Sequence, residues 1–209
     1  FRSAGAFSRQ HVWGESAYAV LYHWPDTVDQ PMDARFMQFP WCDNAAALQA
    51  WQRGQTGIPM VDAGMRELWQ TGYMHNRVRM LVASFLCKHL LLDWRLGAAW
   101  FMYSLFDADL ANNSMGWQWV AGCGVDAAPY FRIFNPVIQG EKFDAAGGYV
   151  RRWVPELQAL PDQWIHQPWK APEEVLRQAG IKLGHDYPEP IIDLVAGRAR
   201  ALQVWQSLK

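Results

Sequence analysis

Seven polar side chains stand out because they lie among apolar and aromatic residues. They form two groups, Asn76, Arg77 and Arg79 near the start of one predicted helix and Asp107, Asp109, Asn112 and Asn113 after another. Burying such groups costs free energy unless each finds a hydrogen-bond partner. The sequence therefore predicts either that they pair with one another or that they line a ligand pocket.

The pair Asp107 and Asp109 suits helix capping or a hydroxyl-rich ligand better than a metal ion. A hard cation needs further oxygen ligands, and no third carboxylate or histidine is clustered there. The chain also lacks G-x-S-x-G, H-E-x-x-H and Walker motifs, and its Gly122-Cys123-Gly124 triplet lacks the preceding strand of a dinucleotide fingerprint. We predict no metal site and no standard acid-base or nucleophilic centre.

Tryptophan is unusually frequent, with 13 residues in a chain of 209, and aromatic residues make up 14%. Trp117 and Trp119 lie close in sequence to the second polar group. Propensity alone favours core packing for both rings. Composition and spacing together predict an all-α domain with an aromatic pocket.

The elements that must position these residues are helical. Apolar residues recur at helical spacing, without strand-like alternation, an internal repeat or a clear linker. Asp43 or Asn44 and then Asp93 are expected as caps, and Pro25, Gly54 and Gly72 as stops. The predicted helices cover residues 13–24, 45–51, 59–71, 75–92, 94–106 and 191–208. Residues 107–135 are predicted as loop and short helix, and residues 155–190 as an extended wrapping segment.

Composition narrows the class of protein. An apolar fraction of 51% with 19% charged residues excludes general disorder, and a net charge of -1 means that any nucleic-acid binding needs a local patch. Three widely spaced cysteines predict a reducing cytoplasm rather than a disulfide framework. The most apolar stretch, residues 80–94, is interrupted by Lys88 and His89 and is too short to span a membrane. We expect a cytoplasmic monomer without an obligate protein partner.

Several sequence motifs are more specific than composition. They are GQTGIP at 54–59, VDA at 61–63, TGYMHNRVRM at 71–80, ASFL at 83–86, DWR at 93–95, DADLANN at 107–113, GWQW at 116–119 and DAAPYFRIFNP at 126–136. Over residues 52–157 the chain closely resembles the flavin-binding domain of the DNA photolyase and cryptochrome family, most of all bacterial class I cyclobutane pyrimidine dimer photolyases. Weaker resemblance runs from residue 7 to the C-terminus, including WVPEL at 153–157, PWK at 168–170 and YPEP at 187–190.

The resemblance implies a cofactor and its site. A U-shaped FAD would contact Asn76, Arg79, Asp107 and Asp109, and Asn113 would face N5 of the isoalloxazine. A side-chain amide can donate or accept a hydrogen bond there as the flavin changes state. The resemblance also implies an electron relay from the surface to the photoexcited flavin through Trp41, Trp94 and Trp117.

A second set of residues would bind the DNA lesion by the same resemblance. The flipped pyrimidine dimer would lie between Trp13 and Trp119 and pack on Met80, while Asn76 and Arg77 would bridge flavin, lesion and DNA. Candidate phosphate contacts are Arg77, Arg132 and Arg151 or Arg152, although a solvated face explains the last two equally well.

The chain departs from the family pattern at two places. Trp13-Gly14-Glu15-Ser16 stands where the family usually has Trp-Arg-Glu-Phe, and Gln10 stands where a glutamate commonly bonds the lesion. An amide can donate a hydrogen bond but cannot release a proton, so we expect repair to suffer more than binding. The family's α/β antenna domain and its loop that cradles the FAD phosphates are not in this sequence. We therefore expect an N-terminally truncated fragment of which residues 1–209 are the helical domain, binding FAD weakly or not at all by itself.

The predicted function is that of a lyase: light-driven, FAD-dependent repair of cyclobutane pyrimidine dimers in DNA. One alternative is a cryptochrome-like photoreceptor without repair, disfavoured by Trp119, Met80 and Asn113 but left open by Gln10 and Gly14. Another is a flavin-free helical binding module. Dark binding of dimer-containing DNA separates the first two, and flavin retention separates both from the third.

Overall fold

The computed structural model describes the backbone of residues 2–208 and the side chains of residues 11–208. Ten α-helices are described, which confirms the predicted all-α class. They are α1 Arg2–His23, α2 Ala45–Arg53, α3 Pro59–Thr71, α4 Asn76–Ser84, α5 Trp94–Ser104, α6 Leu110–Ala121, α7 Pro136–Phe143, α8 Gly148–Trp153, α9 Glu173–Gln178 and α10 Leu194–Ser207. Within residues 2–208 there is no strand, and no helix is long and apolar enough to cross a membrane.

Local signals account for α2, α3 and α5. Asn44 Oδ1 accepts a hydrogen bond from Ala47 N at 2.9 Å, and Asp93 Oδ1 accepts one from Arg95 N at 2.9 Å. Gly54 and Gly72 end α2 and α3 in the left-handed conformation that glycine adopts without strain. These boundaries agree with the sequence predictions to within two residues.

The single helix predicted over residues 75–92 is wrong in its length. His75 lies outside it and caps α4, accepting a hydrogen bond from Arg77 N, and α4 gives way after Ser84 to a π-helical turn, Phe85–His89. Leu90 N donates to Phe85 O, and Leu91 has a φ of 53°. The π-helical turn and the left-handed residue end the helical run before α5 begins at Trp94.

Residues 107–135 are predicted as loop and short helix, and the helix found there, α6, has 12 residues. Asp109 caps α6 at its start and Gly122 ends it. Its apolar residues do not follow one face, because α1, α4 and α5 pack around it on different sides. The segment from 155 to 190 contains three short 3-10 turns and α9 rather than extended chain, and α7 and α8 precede it.

The C-terminal segment is fastened to α3 by a buried carboxylate. Asp62 is fully buried and accepts hydrogen bonds from Thr56 N, Thr56 Oγ1, Gly57 N and the Tyr187 hydroxyl, at 2.5 to 3.0 Å. Burial raises the pKa of Asp62, and the hydrogen bonds oppose that rise. The bond from Tyr187 holds this part of the C-terminal segment against the first turn of α3.

The main apolar core surrounds α4, the π-helical turn, α5 and α6. Its largest side chains include Trp51, Phe85, Trp94, Phe101 and Trp117, all nearly or completely buried. A smaller cluster, formed by Ala17, Ala111 and Met115, joins α1 to α6. Between these two clusters the helices α1, α4, α5 and α6 leave an opening.

Candidate functional site

The opening is a cavity of about 750 Å³. Its wall combines carboxylates, amides and one guanidinium with aromatic and aliphatic side chains. Nine of the predicted site residues line it: Trp13, Asn76, Arg79, Met80, Asp107, Asp109, Asn113, Trp117 and Trp119. Asn112 lines it as well. The tertiary structure thus brings together two polar groups that are about thirty positions apart in the sequence.

Arg79 and Asp107 join the first turn of α4 to the chain entering α6. Arg79 Nη2 donates to both carboxylate oxygens of Asp107, at 3.0 and 2.9 Å, and Arg79 Nε donates to Met74 O at 2.7 Å. Both side chains remain partly exposed toward the cavity. The paired charges provide donors and acceptors for a polar ligand without leaving either charge unpartnered.

Asp109 caps α6 and also bonds α1. Its Oδ1 accepts hydrogen bonds from Asn112 N and Asn112 Nδ2, at 2.8 and 2.6 Å, and its Oδ2 accepts one from the Tyr18 hydroxyl at 2.6 Å. Partial burial by itself would raise the pKa of Asp109, but these hydrogen bonds lower it below the usual value. The carboxylate is therefore ionised at neutral pH, and its hydrogen bond from Asn112 N confirms that Asp109 caps a helix.

Asn113 lies one residue further along α6 and is anchored to α5. Its Nδ2 donates to Ala98 O at 2.9 Å, so the side-chain carbonyl oxygen remains an acceptor toward the cavity that Asn113 lines. The asparagine amide is held by the packing of α5 on α6.

Three tryptophans form apolar walls of the cavity. Trp117 is only 2% exposed and meets Phe101 and Trp51 edge-on, with ring centroids 5.0 and 6.2 Å apart. Its Nε1 is buried and has no hydrogen-bond partner among the described residues. Trp13 and Trp119 are half-buried and come from α1 and α6. The core-packing interpretation fits Trp117 in part, whereas Trp119 keeps exposed surface at the cavity.

The remaining predicted site residues lie elsewhere. Trp94 is completely buried in the core, and Trp41 is half-buried beside Phe39, with ring centroids 4.2 Å apart. Arg77 is exposed on α4, with its guanidinium 4.6 Å from the centre of the Phe143 ring. Gln10 lies outside the described side chains, so nothing is added to the prediction made for it.

The candidate phosphate contacts differ in their freedom to bind. Arg132 and Arg152 are exposed. Arg151 instead donates to Gln158 O, Leu160 O and the Asp162 carboxylate, which makes it a structural residue of the chain after α8. Of the two alternatives at 151 and 152, the structure therefore leaves Arg152 the more accessible.

Sequence reasoning missed the contribution of α1 beyond Trp13. Tyr18, Glu15 and His11 also line the cavity, as does Phe101 of α5. Helical spacing places His11, Glu15 and Tyr18 on one face of α1, but only the packing of α1 on α6 shows that this face meets Asp109. Within the part of the chain that the structure describes, no three histidine, cysteine or acidic side chains come together as a metal site.

Comparison with known proteins identifies the same family that the sequence motifs indicate. The family described as the FAD binding domain of DNA photolyase matches residues 7–207. The deoxyribodipyrimidine photo-lyase of Agrobacterium fabrum is 54% identical over 203 residues, covering 97% of this chain and 42% of that protein. Cryptochrome-1 of Arabidopsis thaliana is 48% identical over 191 residues, covering 90% of this chain and 28% of that protein.

A solved structure is equally similar. The crystal structure of a bacterial class III photolyase from Agrobacterium tumefaciens matches with a TM-score of 0.94 and 53% identity, covering 97% of this chain and 42% of that one. The class I subdivision predicted from the motifs is not tested by this match. The chain spans about two-fifths of the length of these photolyase relatives.

Proposed function

The chain belongs to the family of FAD-binding domains of DNA photolyase, and on this premise we propose that it holds FAD in the cavity between α1, α4, α5 and α6 and serves light-driven repair of cyclobutane pyrimidine dimers in DNA. The observation that carries the proposal is the meeting of nine predicted site residues in one cavity. A volume of about 750 Å³ lies within the usual range for sites that hold a cofactor or other small ligand.

The donors and acceptors around the cavity suit a flavin. Trp117 Nε1 is a buried donor without a partner among the described residues, which is costly unless a ligand or water accepts from it. The Arg79 and Asp107 pair offers both charges, and Asn113 offers a carbonyl oxygen whose own amide nitrogen is already held by Ala98. A flavin carries ring nitrogens, carbonyls and hydroxyls that such groups can bind.

The residues of this chain bind and orient, because the reaction needs no acid-base triad. FAD held by these residues would supply light-driven electron transfer to the dimer, with the electron returned to the flavin. Asn113 would accept a hydrogen bond from a protonated ring nitrogen, and Asp107 and Asp109 would accept from other donors of the ligand. The apolar rings of Phe101, Trp117 and Trp119 would exclude water.

The lesion would enter beside the half-buried rings of Trp13 and Trp119. Flipping a nucleotide out of the duplex costs a few kcal/mol, and less where a lesion has already weakened its stacking. Aromatic faces that stack on the flipped bases offset that cost. Met80 lines the same cavity and is partly exposed. Arg77 and Arg132 are exposed cations that would contact phosphates, providing the local patch that a chain of net charge -1 requires.

Burial supports an electron path through the three relay tryptophans. Trp117 is at the cavity wall, Trp94 is fully buried and Trp41 is half-buried. A route from solvent to a bound flavin needs one ring that is accessible and others that are shielded, and the three residues satisfy this order of exposure.

The first experiment is flavin retention. The purified chain is refolded with FAD, free cofactor is removed by gel filtration, and flavin absorbance is compared with protein concentration. We expect weak retention, well below one flavin per chain, which Asp107→Asn reduces further and the remote variant Asp162→Asn leaves unchanged. A folded helical chain that retains no flavin would refute FAD binding by these residues alone, and repair would then require a longer protein.

The second experiment separates repair from signalling, which the similarity to a plant cryptochrome keeps as a candidate. Binding to an oligonucleotide with one thymine dimer is compared with binding to the undamaged oligonucleotide in the dark. Photolyase function predicts a clear preference for the damaged strand and restoration of thymines under blue light. Flavin retention with equal binding of both oligonucleotides would favour a photoreceptor.

A further inference from the structure

Tyr18 forms a polar link between α1 and the beginning of α6 at the edge of the cavity. Its hydroxyl donates to Asp109 Oδ2 at 2.6 Å, and both residues line the cavity. The neighbouring contact between these helices is a small apolar cluster of Ala17, Ala111 and Met115. A short hydrogen bond to a carboxylate is among the stronger ones in proteins.

The hydrogen bonds already made by Asp109 limit where a ligand can bind it. Each carboxylate oxygen can accept about two hydrogen bonds. Oδ1 accepts from the backbone and side-chain nitrogens of Asn112, Oδ2 accepts from Tyr18, and the backbone N–H of Ala111 also stabilises the charged carboxylate. Because Oδ1 already accepts from two nitrogens, Oδ2 is the oxygen better able to accept from a ligand donor, and it lies beside the Tyr18 hydroxyl.

Tyr18 is also the side chain on this face of α1 that reaches Asp109. Gly14 lies four positions earlier on the same face, and a β-carbon there would have only Asn112 Oδ1 within 4 Å, at 3.9 Å. Because Gly14 contributes no side chain toward Asn112 and Asp109, the orientation of the carboxylate relative to α1 depends on the phenol one turn later.

We propose that Tyr18 is a positioning residue that fixes Asp109 Oδ2 and, with it, presents two adjacent oxygens to a hydroxyl or N–H donor of the bound cofactor. This inference deepens the proposed function, on which it rests for the identity of the cofactor as FAD. Tyr18 acts through Asp109 and needs no covalent or redox change of its own.

The test compares Tyr18→Phe with Tyr22→Phe, which removes the hydroxyl of a more exposed tyrosine one turn further along α1. The first readout is the carbon-13 NMR titration of the Asp109 carboxyl. Removing the Tyr18 donor should raise the Asp109 pKa, while Tyr22→Phe should not. Glu15, Asp107 and Arg79 line the same cavity and are unchanged in both variants.

The second readout is FAD affinity, measured from quenching of flavin fluorescence. We expect Tyr18→Phe to weaken binding about tenfold, as for a lost hydrogen bond to a charged group, with the circular dichroism spectrum unchanged. An unchanged affinity, or an unchanged Asp109 pKa, overturns the proposal. If the wild-type chain binds no FAD while the pKa still rises in Tyr18→Phe, the proposed function fails and the positioning of Asp109 by Tyr18 stands.

Discussion

Gly97 of α5 lies directly against the indole ring of Trp117 on α6. A β-carbon built on Gly97 would be 2.7 Å from Trp117 Cζ2 and closer still to Cη2. This approach lets α5 and α6 pack closely enough for Asn113 to reach Ala98 O. One glycine therefore determines how a ring and an amide of the cavity wall are placed.

Gly97→Ala should destabilise the fold, because the added methyl group overlaps a buried ring that has no room to move. We expect the free energy of unfolding, from urea titration, to fall by about 2 kcal/mol or more. Gly116→Ala is the matched control: it lies on α6 with nothing within 4 Å of its added β-carbon, and should gain up to about 1 kcal/mol from helix propensity. Equal effects of the two substitutions would contradict the close packing of α5 on α6.

Asp107→Asn should weaken FAD binding with little effect on stability. The change removes the charge that pairs with Arg79, but the pair is partly exposed, and such pairs contribute no more than about 1 kcal/mol to folding. We expect a loss of affinity of about tenfold by flavin fluorescence. Asp162→Asn breaks the pair with Arg151 far from the cavity and serves as the control. A large loss of stability without loss of affinity would assign the pair a purely structural role.

Trp119→Ala should selectively weaken binding of damaged DNA. Loss of one stacking ring costs about 1–3 kcal/mol, so dark affinity for a dimer-containing oligonucleotide should fall about tenfold or more. Affinity for undamaged DNA should change little, because phosphate contacts dominate it. Trp69→Ala removes an indole that is 62% exposed and does not line the cavity, and it should change neither affinity. A parallel loss for both oligonucleotides would argue against a lesion pocket at Trp119.

Lys88 should make stability depend on pH above neutrality. It is buried in the core, where Nζ donates to Ala121 O at 3.1 Å and lies 3.3 Å from the centre of the Tyr130 ring. Burial lowers the pKa of Lys88 from 10.5 to about 7. Between these two values the unfolded chain binds more protons than the folded one, so the contribution of Lys88 to the unfolding free energy rises with pH.

The measurement is urea unfolding of the wild type and Lys88→Met. The wild type should gain on the variant from about pH 7 to about pH 9, by up to about 1.4 kcal/mol per pH unit. The exposed lysine at 142 provides the control Lys142→Met, for which no such divergence is expected. Parallel curves for wild type and Lys88→Met would show that the buried amine keeps its ordinary pKa.

Much of the fold follows from short-range signals in the sequence. Asn44, Asp93, Gly54 and Gly72 predict the ends of three helices because caps and left-handed glycines act within one turn. The π-helical turn after Ser84 carries no such signal, since its residues continue an apolar helical pattern. The bounds of α6 within the predicted loop and short helix could not be given for a related reason: a helix packed on several sides shows no single apolar face.

For the candidate site, too, some features follow from the sequence and others only from the tertiary structure. The motifs by themselves determined which residue types would gather, and the resemblance they carry determined the expected cofactor and chemistry. Only the tertiary structure decided that Arg79 pairs with Asp107, that Trp117 packs on Gly97 and that Tyr18 reaches Asp109 across 91 positions. Spacing along a chain constrains neighbours within a helix turn, whereas contacts between helices depend on how many side chains pack at once, and that is set only when the whole core forms.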